Sequence, residues 1–423
     1  MKKKLLGALM AAVLCVTAAG CGKDAPAANQ GGETESVQRE SVSDKKIGMI
    51  LVGDENEGYT YAHIEGMRIA EVQNGLNDSN IIWKYSVPED ESCKEAAVDL
   101  VEQGCVAVFS NSYGHQTFME EAAAEYPDVQ FVSMTGDRAE LSGLSNFSNA
   151  FTNVYESRFV SGVVAGMKVK ELVEQGKLAD ENKDGGKVKI GYVGAYPYAE
   201  VVSGYTAFFL GIQYIYPDVT MEVRYTNSWF DITAEAEAAN ALMADGCVII
   251  GQHADSTGAP TAVQDALSKG KPVYSVGYNV DMLSVAPEAA LTSATNVWSV
   301  YYNEAVKTIL EGGKIPTNWA KGYADGAVAI TALGPSVAEG TQNKVDEVIN
   351  GIKSGNIKVF DTSRFTVDGK HLDSYHVDMN GNFANTDPED KEAIWDGYFH
   401  ESELRSAPSF DIRIDGITEL TAE

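Results

Sequence analysis

From residue 46 onward, short apolar runs alternate with amphipathic stretches. Residues 47–52 form a continuous apolar run of the length expected for a buried parallel strand. A loop containing Gly, Asp and Asn follows, then a helical pattern over about 62–73. Residues 81–86 read as the next strand, and an acidic helix start at 89–91 leads to a stop at Gly104. Strands at 105–109 and 130–134 complete a βαβαβαβ run.

The same order recurs from Lys189, with strands at 190–194, 221–226 and 247–251 and one entered from 272–275. Gly246-Cys247-Val248 repeats Gly104-Cys105-Val106, and the offset stays near 140 residues along the series. Alternating strands and helices imply parallel sheets covered by helices on both faces. Two copies imply two similar α/β lobes. The predicted division is 45–152 plus about 284–325 for the first lobe and about 153–283 plus 326–423 for the second. Further elements are expected at 291–295 (strand), 298–310 (helix), 327–331 (strand) and 343–354 (helix), and the last thirty residues carry no clear pattern.

In open α/β sheets, ligands bind beyond the carboxyl ends of the strands. Two facing lobes therefore place the loops at 54–63, 110–116, 135–138, 195–200, 227–231, 252–258 and 277–282 on an interlobe cleft. These loops carry Tyr59, Tyr61, Tyr113, Tyr196, Tyr198, Trp229, Phe230 and Tyr278, together with Asn111, Asn227, Asn279, Asp255 and Asp281. Aromatic faces beside amides and carboxylates suit a flat, heteroatom-rich ligand: rings stack, and polar groups read N–H and C=O edges. Each aromatic also reads as core, Asp231 as a helix N-cap, and Asp255 and Asp281 equally as turn residues or ligand contacts.

Residues 1–20 change the picture of location. Lys2, Lys3 and Lys4 precede an apolar stretch too short to span a bilayer, and Ala18-Ala19-Gly20 leads to Cys21. This resembles a bacterial lipobox, which makes 1–20 a signal peptide and Cys21 the lipidated N-terminus on the outer face of the cell membrane. Residues 21–44 are the anchor and a flexible Gly-, Ser-, Asn- and Glu-rich tether. Cys93, Cys105 and Cys247 are too few and too widely spaced for a disulfide framework or a metal site. The formal charge of -29 argues against nucleic acid.

Catalytic motifs are scarce. The chain has no nucleophile elbow, no His-Glu-x-x-His and no phosphate-binding loop. Asp180, Asn182 and Asp184 imitate the start of a calcium loop, but Gly191 stands where the closing glutamate belongs. His63, His115 and His253 read as hydrogen-bonding groups of the cleft or hinge. The expectation is a monomeric binding protein with no metal and no cofactor, and not an enzyme.

Six segments carry a family resemblance: GYTYAHIEGMR (58–68), SNSYG (110–114), TNVYESRFVSGVVAG (152–166), TNSWFD (226–231), GQHADS (251–256) and VGYNVDM (276–282). Together they resemble the basic membrane protein family, substrate-binding lipoproteins of ABC importers. The resemblance covers nearly the whole mature chain. It implies a type I periplasmic-binding-protein fold, two Rossmann-like lobes joined by a hinge, ABC permease partners and purine nucleoside ligands. TNSWFD and GQHADS are most similar to a subgroup associated with purine bases. Carried over by position, Tyr59 and Trp229 stack on the ring, Asn111, Asp255 and Asp281 read polar edges, and Thr60, Tyr113 and Tyr198 complete the ligand set. The first loop departs from nucleoside binders, with Gly58-Tyr59-Thr60 where they carry Ser-Phe-Asn, and Asn279 replaces an Asp found in many relatives. Rival expectations are a receptor feeding a signalling system, or a nucleoside-processing enzyme using Asp255 or Asp281.

Overall fold

The computed structural model describes residues 41–379, 387–388 and 390–420. The leader 1–20, Cys21 and most of the tether lie outside the described residues. The first sheet holds β1 (Lys46–Ile50), β2 (Ile81–Lys84), β3 (Cys105–Ser110), β4 (Gln130–Met134) and β5 (Phe147–Thr152), all parallel, in the order β2-β1-β3-β4-β5. The connecting helices are α1 (Gly58–Gln73), α2 (Glu91–Glu102), α3 (Gln116–Glu125) and the short α4 (Ala139–Ser142). Helix α5 (Val154–Glu174) and a two-residue strand β6 (Lys183–Asp184) lead into the second copy.

That copy holds β7 (Lys187–Gly194), β8 (Val219–Tyr225), β9 (Ile249–Gln252), β10 (Tyr274–Tyr278) and β11 (Ala290–Asn296), in the matching order β8-β7-β9-β10-β11. Its helices are α6 (Ala199–Ile215), α7 (Ile232–Ala244) and α8 (Gly258–Ser268). Both sheets are thus doubly wound, and the strand order reverses beside β1 in the first and beside β7 in the second. The chain then returns through α9 (Trp298–Leu310) to β12 (Asn318–Lys321), which extends the first sheet beside β5. It crosses back to β13 (Val328–Ile330), antiparallel beside β11.

The duplication reaches single contacts. A Cβ on Gly48 would meet Leu100 Cδ1 at 2.7 Å; one on Gly191 would meet Ile250 Cδ1 at 2.8 Å and Leu242 Cβ at 3.0 Å. Glycine lets α2 and α7 press onto corresponding strands. Four non-glycine residues with positive φ also pair up. Ser86 (φ 53°) and Asn227 (φ 54°) follow β2 and β8, while Thr135 (φ 64°) and Asn279 (φ 61°) follow β4 and β10. Their backbone hydrogen bonds correspond too: Thr135 N to Ala150 O at 2.8 Å and Asn279 N to Ala294 O at 2.9 Å. All four lie on the cleft side, where left-handed turns bend the chain sharply out of the sheet.

Two placements differ from the sequence reading. Residues 290–296 belong to the second sheet as its fifth strand, not to the first lobe, so the crossover falls at Val297 rather than near 284. Strand β5 was hidden in a polar-looking run, FSNAFT, whose six residues are all buried. The C-terminal residues are also more structured than their polarity suggests. After α10 (Thr341–Lys353), the short strands β14 (His376–Val377), β15 (Lys391–Glu392), β16 (Ile394–Trp395) and β17 (Tyr398–Phe399) lead to β18 (Ile417–Leu420), which pairs parallel with β8. Phe365, Phe399, Phe410, Ile412 and Ile414 join the second lobe's core.

The three crossovers are tied together. Thr152 Oγ1 bonds Asn296 Oδ1, and Tyr323 N donates to Glu156 Oε2 at 2.7 Å. Helix α5 packs against α6 so closely that glycine is required on both. A Cβ on Gly162 would lie 2.1 Å from Phe208 O, and one on Gly211 would lie 2.1 Å from Phe159 O.

Candidate functional site

The carboxyl ends of both sheets face one cavity of about 450 Å³. From the first lobe it is lined by 52–54 with Asn56, Glu57 and Tyr59, by Ser86 and Glu89, by 111–113 and by Thr135; from the second, by Tyr196, Glu200, 228–230, His253, Asp255 and Tyr278. That size and mixture suit a small organic ligand with a few polar anchors.

The first-lobe wall is stitched by side chains. Asn111 Oδ1 accepts from Val52 N at 2.8 Å, joining the ends of β3 and β1, and Asn111 Nδ2 donates to Thr60 Oγ1 at 3.2 Å. Thr60 in turn bonds the Glu57 carboxylate, and the Tyr59 hydroxyl donates to Asn111 O. With its hydroxyl so occupied, Tyr59 offers its ring to the cavity. Thr60 is fully buried and does not line the cavity, so its role is to hold Glu57 and Asn111 in place.

The second-lobe wall is aromatic. Tyr196 stacks on Tyr198 at 5.2 Å between ring centroids and meets Trp229 edge-on at 5.1 Å. Asp255 N donates to Trp229 O at 2.8 Å, which fixes the aspartate beside the indole. Asn279 Nδ2 donates to Asp255 Oδ1 at 2.6 Å, while Oδ2 carries no hydrogen bond among the described residues. Arg158, 2% exposed, lies beneath Tyr278 with its guanidinium 3.6 Å from the ring centroid and donates to Gln252 O at 2.6 Å.

Electrostatically, the cavity is a carboxylate site with one buried cation under its floor. Burial, then the charges of Glu57, Glu235 and Glu200, hold the Asp255 carboxyl well above the usual range, partly offset by Arg158. Burial pushes Glu200 up to about 7, against the pull of Arg158. Glu235 also reaches about 7 through burial, despite hydrogen bonds from Ser256. His253 sits 3.3 Å from Glu200 Oε1 through Nε2, and burial holds its basicity well below normal. Carboxyls held this high keep their protons toward neutral pH, so they can donate as well as accept, and they suit a neutral guest that carries both N–H and lone-pair edges.

These shifts have a measurable consequence. Glu200, Glu235 and Glu401 (also raised to about 7, mainly by burial) keep protons that the unfolded chain releases near the usual 4.5. The stability they lend is full below that value and is lost as pH rises through 7. The ligand-free protein is therefore expected to unfold at a clearly lower temperature at pH 8 than at pH 5.5 in thermal denaturation. An unchanged or higher midpoint at pH 8 would show that these carboxyls ionise freely.

Of the residues expected from sequence, Tyr59, Asn111, Tyr113, Trp229 and Asp255 come together around the cavity. Tyr198 does not line the cavity; it is exposed, with its ring 5.8 Å from that of Tyr113 of the other lobe. Asp281 is the correction: it is exposed, and its Oδ1 accepts from Leu283 N at 2.8 Å, so it shapes a turn outside the cavity. Asn227 is likewise an exposed turn residue. Asp231 is the N-cap of α7, accepting from Thr233 N and Ala234 N. Asn182 binds Gly246 O, and no group of three or more His, Cys, Asp or Glu able to hold a metal occurs among the described residues.

Sequence reasoning missed Glu57, Glu200 and Arg158. Glu200 looks like ordinary first-turn acidity. Arg158 did leave a signal, as a cation inside the apolar stretch of α5.

With fold and cleft in hand, the class follows. The chain belongs to the Bmp family, described as ABC transporter substrate-binding protein PnrA-like, which matches residues 44–363. Proteins of this class are extracytoplasmic solute-binding components that pass small molecules to permease subunits. Among relatives, a purine-binding protein of Brucella abortus is 30% identical, covering 74% of this chain and 83% of that protein. A putative ABC transporter glucose-binding protein of Haloferax volcanii is 29% identical over 81% and 79%. A solute-binding protein of Aeropyrum pernix has the same fold, with TM-score 0.61 and 16% identity over 77% of this chain and 94% of that one. No described helix is long and apolar enough to cross a membrane.

Proposed function

We propose that this protein captures a purine base or nucleoside between its lobes and delivers it to an ABC permease while tethered to the membrane through Cys21. The observation that carries this is the pairing of Tyr59 and Trp229 with the buried Asp255 in one cavity. Flat rings stack on aromatic walls, and purine N–H groups donate to buried carboxyl oxygens. Closure of the lobes is the signal to the permease, with ligand affinity shifting the open–closed equilibrium. The purine-binding relative supports the same reading.

A second reading is a sugar ligand, favoured by the glucose-binding relative. Titration calorimetry with adenine, guanine, hypoxanthine, their nucleosides and glucose separates the two. Purine binding is expected, with Trp229→Ala weakening it by roughly 5- to 150-fold, the worth of about 1–3 kcal/mol for one stack. Heat from glucose alone would overturn the purine reading.

A further inference from the structure

The family match stops at residue 363, yet the chain beyond it is built into the second lobe. Phe410 stacks on Phe360 at 4.2 Å between ring centroids, and β18 pairs with β8. The buried Glu401 carboxylate accepts from Ser409 N and, at 2.8 Å, from Phe410 N, which makes a firm arm of the loop 402–408. This arm crosses to the first lobe. Ser406 N and Oγ each donate to Asn318 Oδ1 at 3.2 Å. Arg405 Nη1 donates to Asp378 O at 2.9 Å and lies 3.7 Å from Asp137 Oδ2. Lys391 Nζ lies 3.4 Å from Glu140 Oε1. Asp137 also touches the ligand cavity: its Oδ2 accepts, at 3.2 Å, from the hydroxyl of Tyr113, which lines that cavity. The contacts stand on the cleft side, where Tyr113, Thr135 and Asp137 share a smaller cavity with Tyr198, Glu200 and Arg405.

We infer that Arg405 is a positioning residue: by holding Asp137, and through it Tyr113, it clasps the two lobes together and slows release of the bound solute. The inference rests on the solute-binding class and not on the purine reading. An arm that only completed the core of its own lobe would need no polar contacts to the other. Magnitudes single out the contact that matters. Lys391 and Glu140 are 45% and 51% exposed, and ion pairs so open to water contribute little. Arg405 and Asp137 are 9% and 15% exposed, so water replaces either partner poorly when the pair separates. Opening the cleft draws residue 137 and β12 of the first lobe away from an arm fixed to the second. It therefore breaks this pair and the Ser406 hydrogen bonds in one event, which puts their loss on the dissociation rate.

Two measurements on the full chain test it. Small-angle X-ray scattering of the ligand-free protein reads the lobes whatever the solute is. Arg405→Gln and Asp137→Asn are each expected to enlarge the radius of gyration, and the double variant no further than either alone. Arg405→Lys, which keeps the charge, is expected to restore most of the compactness. Stopped-flow release of adenine, guanine or hypoxanthine, followed by tryptophan fluorescence, reads retention. Release is expected to be at least about fivefold faster from Arg405→Gln. Raising salt from about 0.05 M to about 0.5 M is expected to speed release from wild type and not from that variant. Lys391→Gln is expected to stay within about twofold of wild type. Equal scattering and equal release for wild type and Arg405→Gln would overturn the clasp and leave the purine reading standing. Arg405→Lys behaving as Arg405→Gln, with no salt effect in wild type, would show packing alone and overturn it too. No binding of any of the three purines would overturn the purine reading, and the scattering result then decides the clasp by itself.

Discussion

Asp255→Asn is expected to weaken purine binding by roughly 10- to 150-fold, while the ligand-free protein becomes more stable at pH 8. The two effects have opposite signs for one reason. In the empty cleft the Asp255 carboxyl is buried among Glu57, Glu235 and Glu200, and its ionised form is unfavourable. An amide removes that charge and its desolvation cost. In the proposed complex, the second Asp255 oxygen is the acceptor. Asn279 Nδ2 already holds one oxygen at 2.6 Å. An asparagine satisfying Asn279 with its only oxygen turns its NH2 group toward the ligand's N–H. The lost charged hydrogen bond is worth about 1.5–3 kcal/mol. Calorimetry and thermal denaturation of one variant read both signs. Unchanged affinity would remove Asp255 from the binding set, and a fall in stability would show that its charge is compensated in the empty protein.

Gly211→Ala is expected to cost at least about 2 kcal/mol in urea denaturation, near the upper part of the range for overpacking. The new Cβ would lie 2.1 Å from Phe159 O, a backbone atom that no rotamer change can move. Gly162→Ala strikes the reciprocal contact, at 2.1 Å from Phe208 O. One separation of α5 from α6 relieves both clashes, so the double variant is expected to lose less than the two single losses added together. Strict additivity, or a loss below about 0.5 kcal/mol, would mean that the helices are not locked at this crossing.

Much of the fold was legible because buried parallel strands write themselves as continuous apolar runs. KIGMI and KIGYV announce β1 and β7 and repeat even the glycine under the helix. The helix α9 matches its expected bounds, 298–310. Less legible was what depends on partners remote in sequence. FSNAFT and ITEL look polar or short, and only their neighbours β4 and β8 make them strands. Within the site, three aromatic residues expected in loops after strands, Tyr59, Tyr113 and Trp229, line the cavity. The aspartates could not be sorted by sequence. Asp255 and Asp281 both follow strands in polar loops, yet one is 6% exposed in the cleft and the other caps a turn in solvent. Burial separates them, and burial is a property of the assembled lobes.

What the cleft holds decides the function. Native mass spectrometry of the protein, purified without unfolding, weighs the bound guest directly. The expected result is an added mass equal to a purine base or nucleoside, lost on release together with the closed form. A hexose or amino-acid mass in its place would contradict the account.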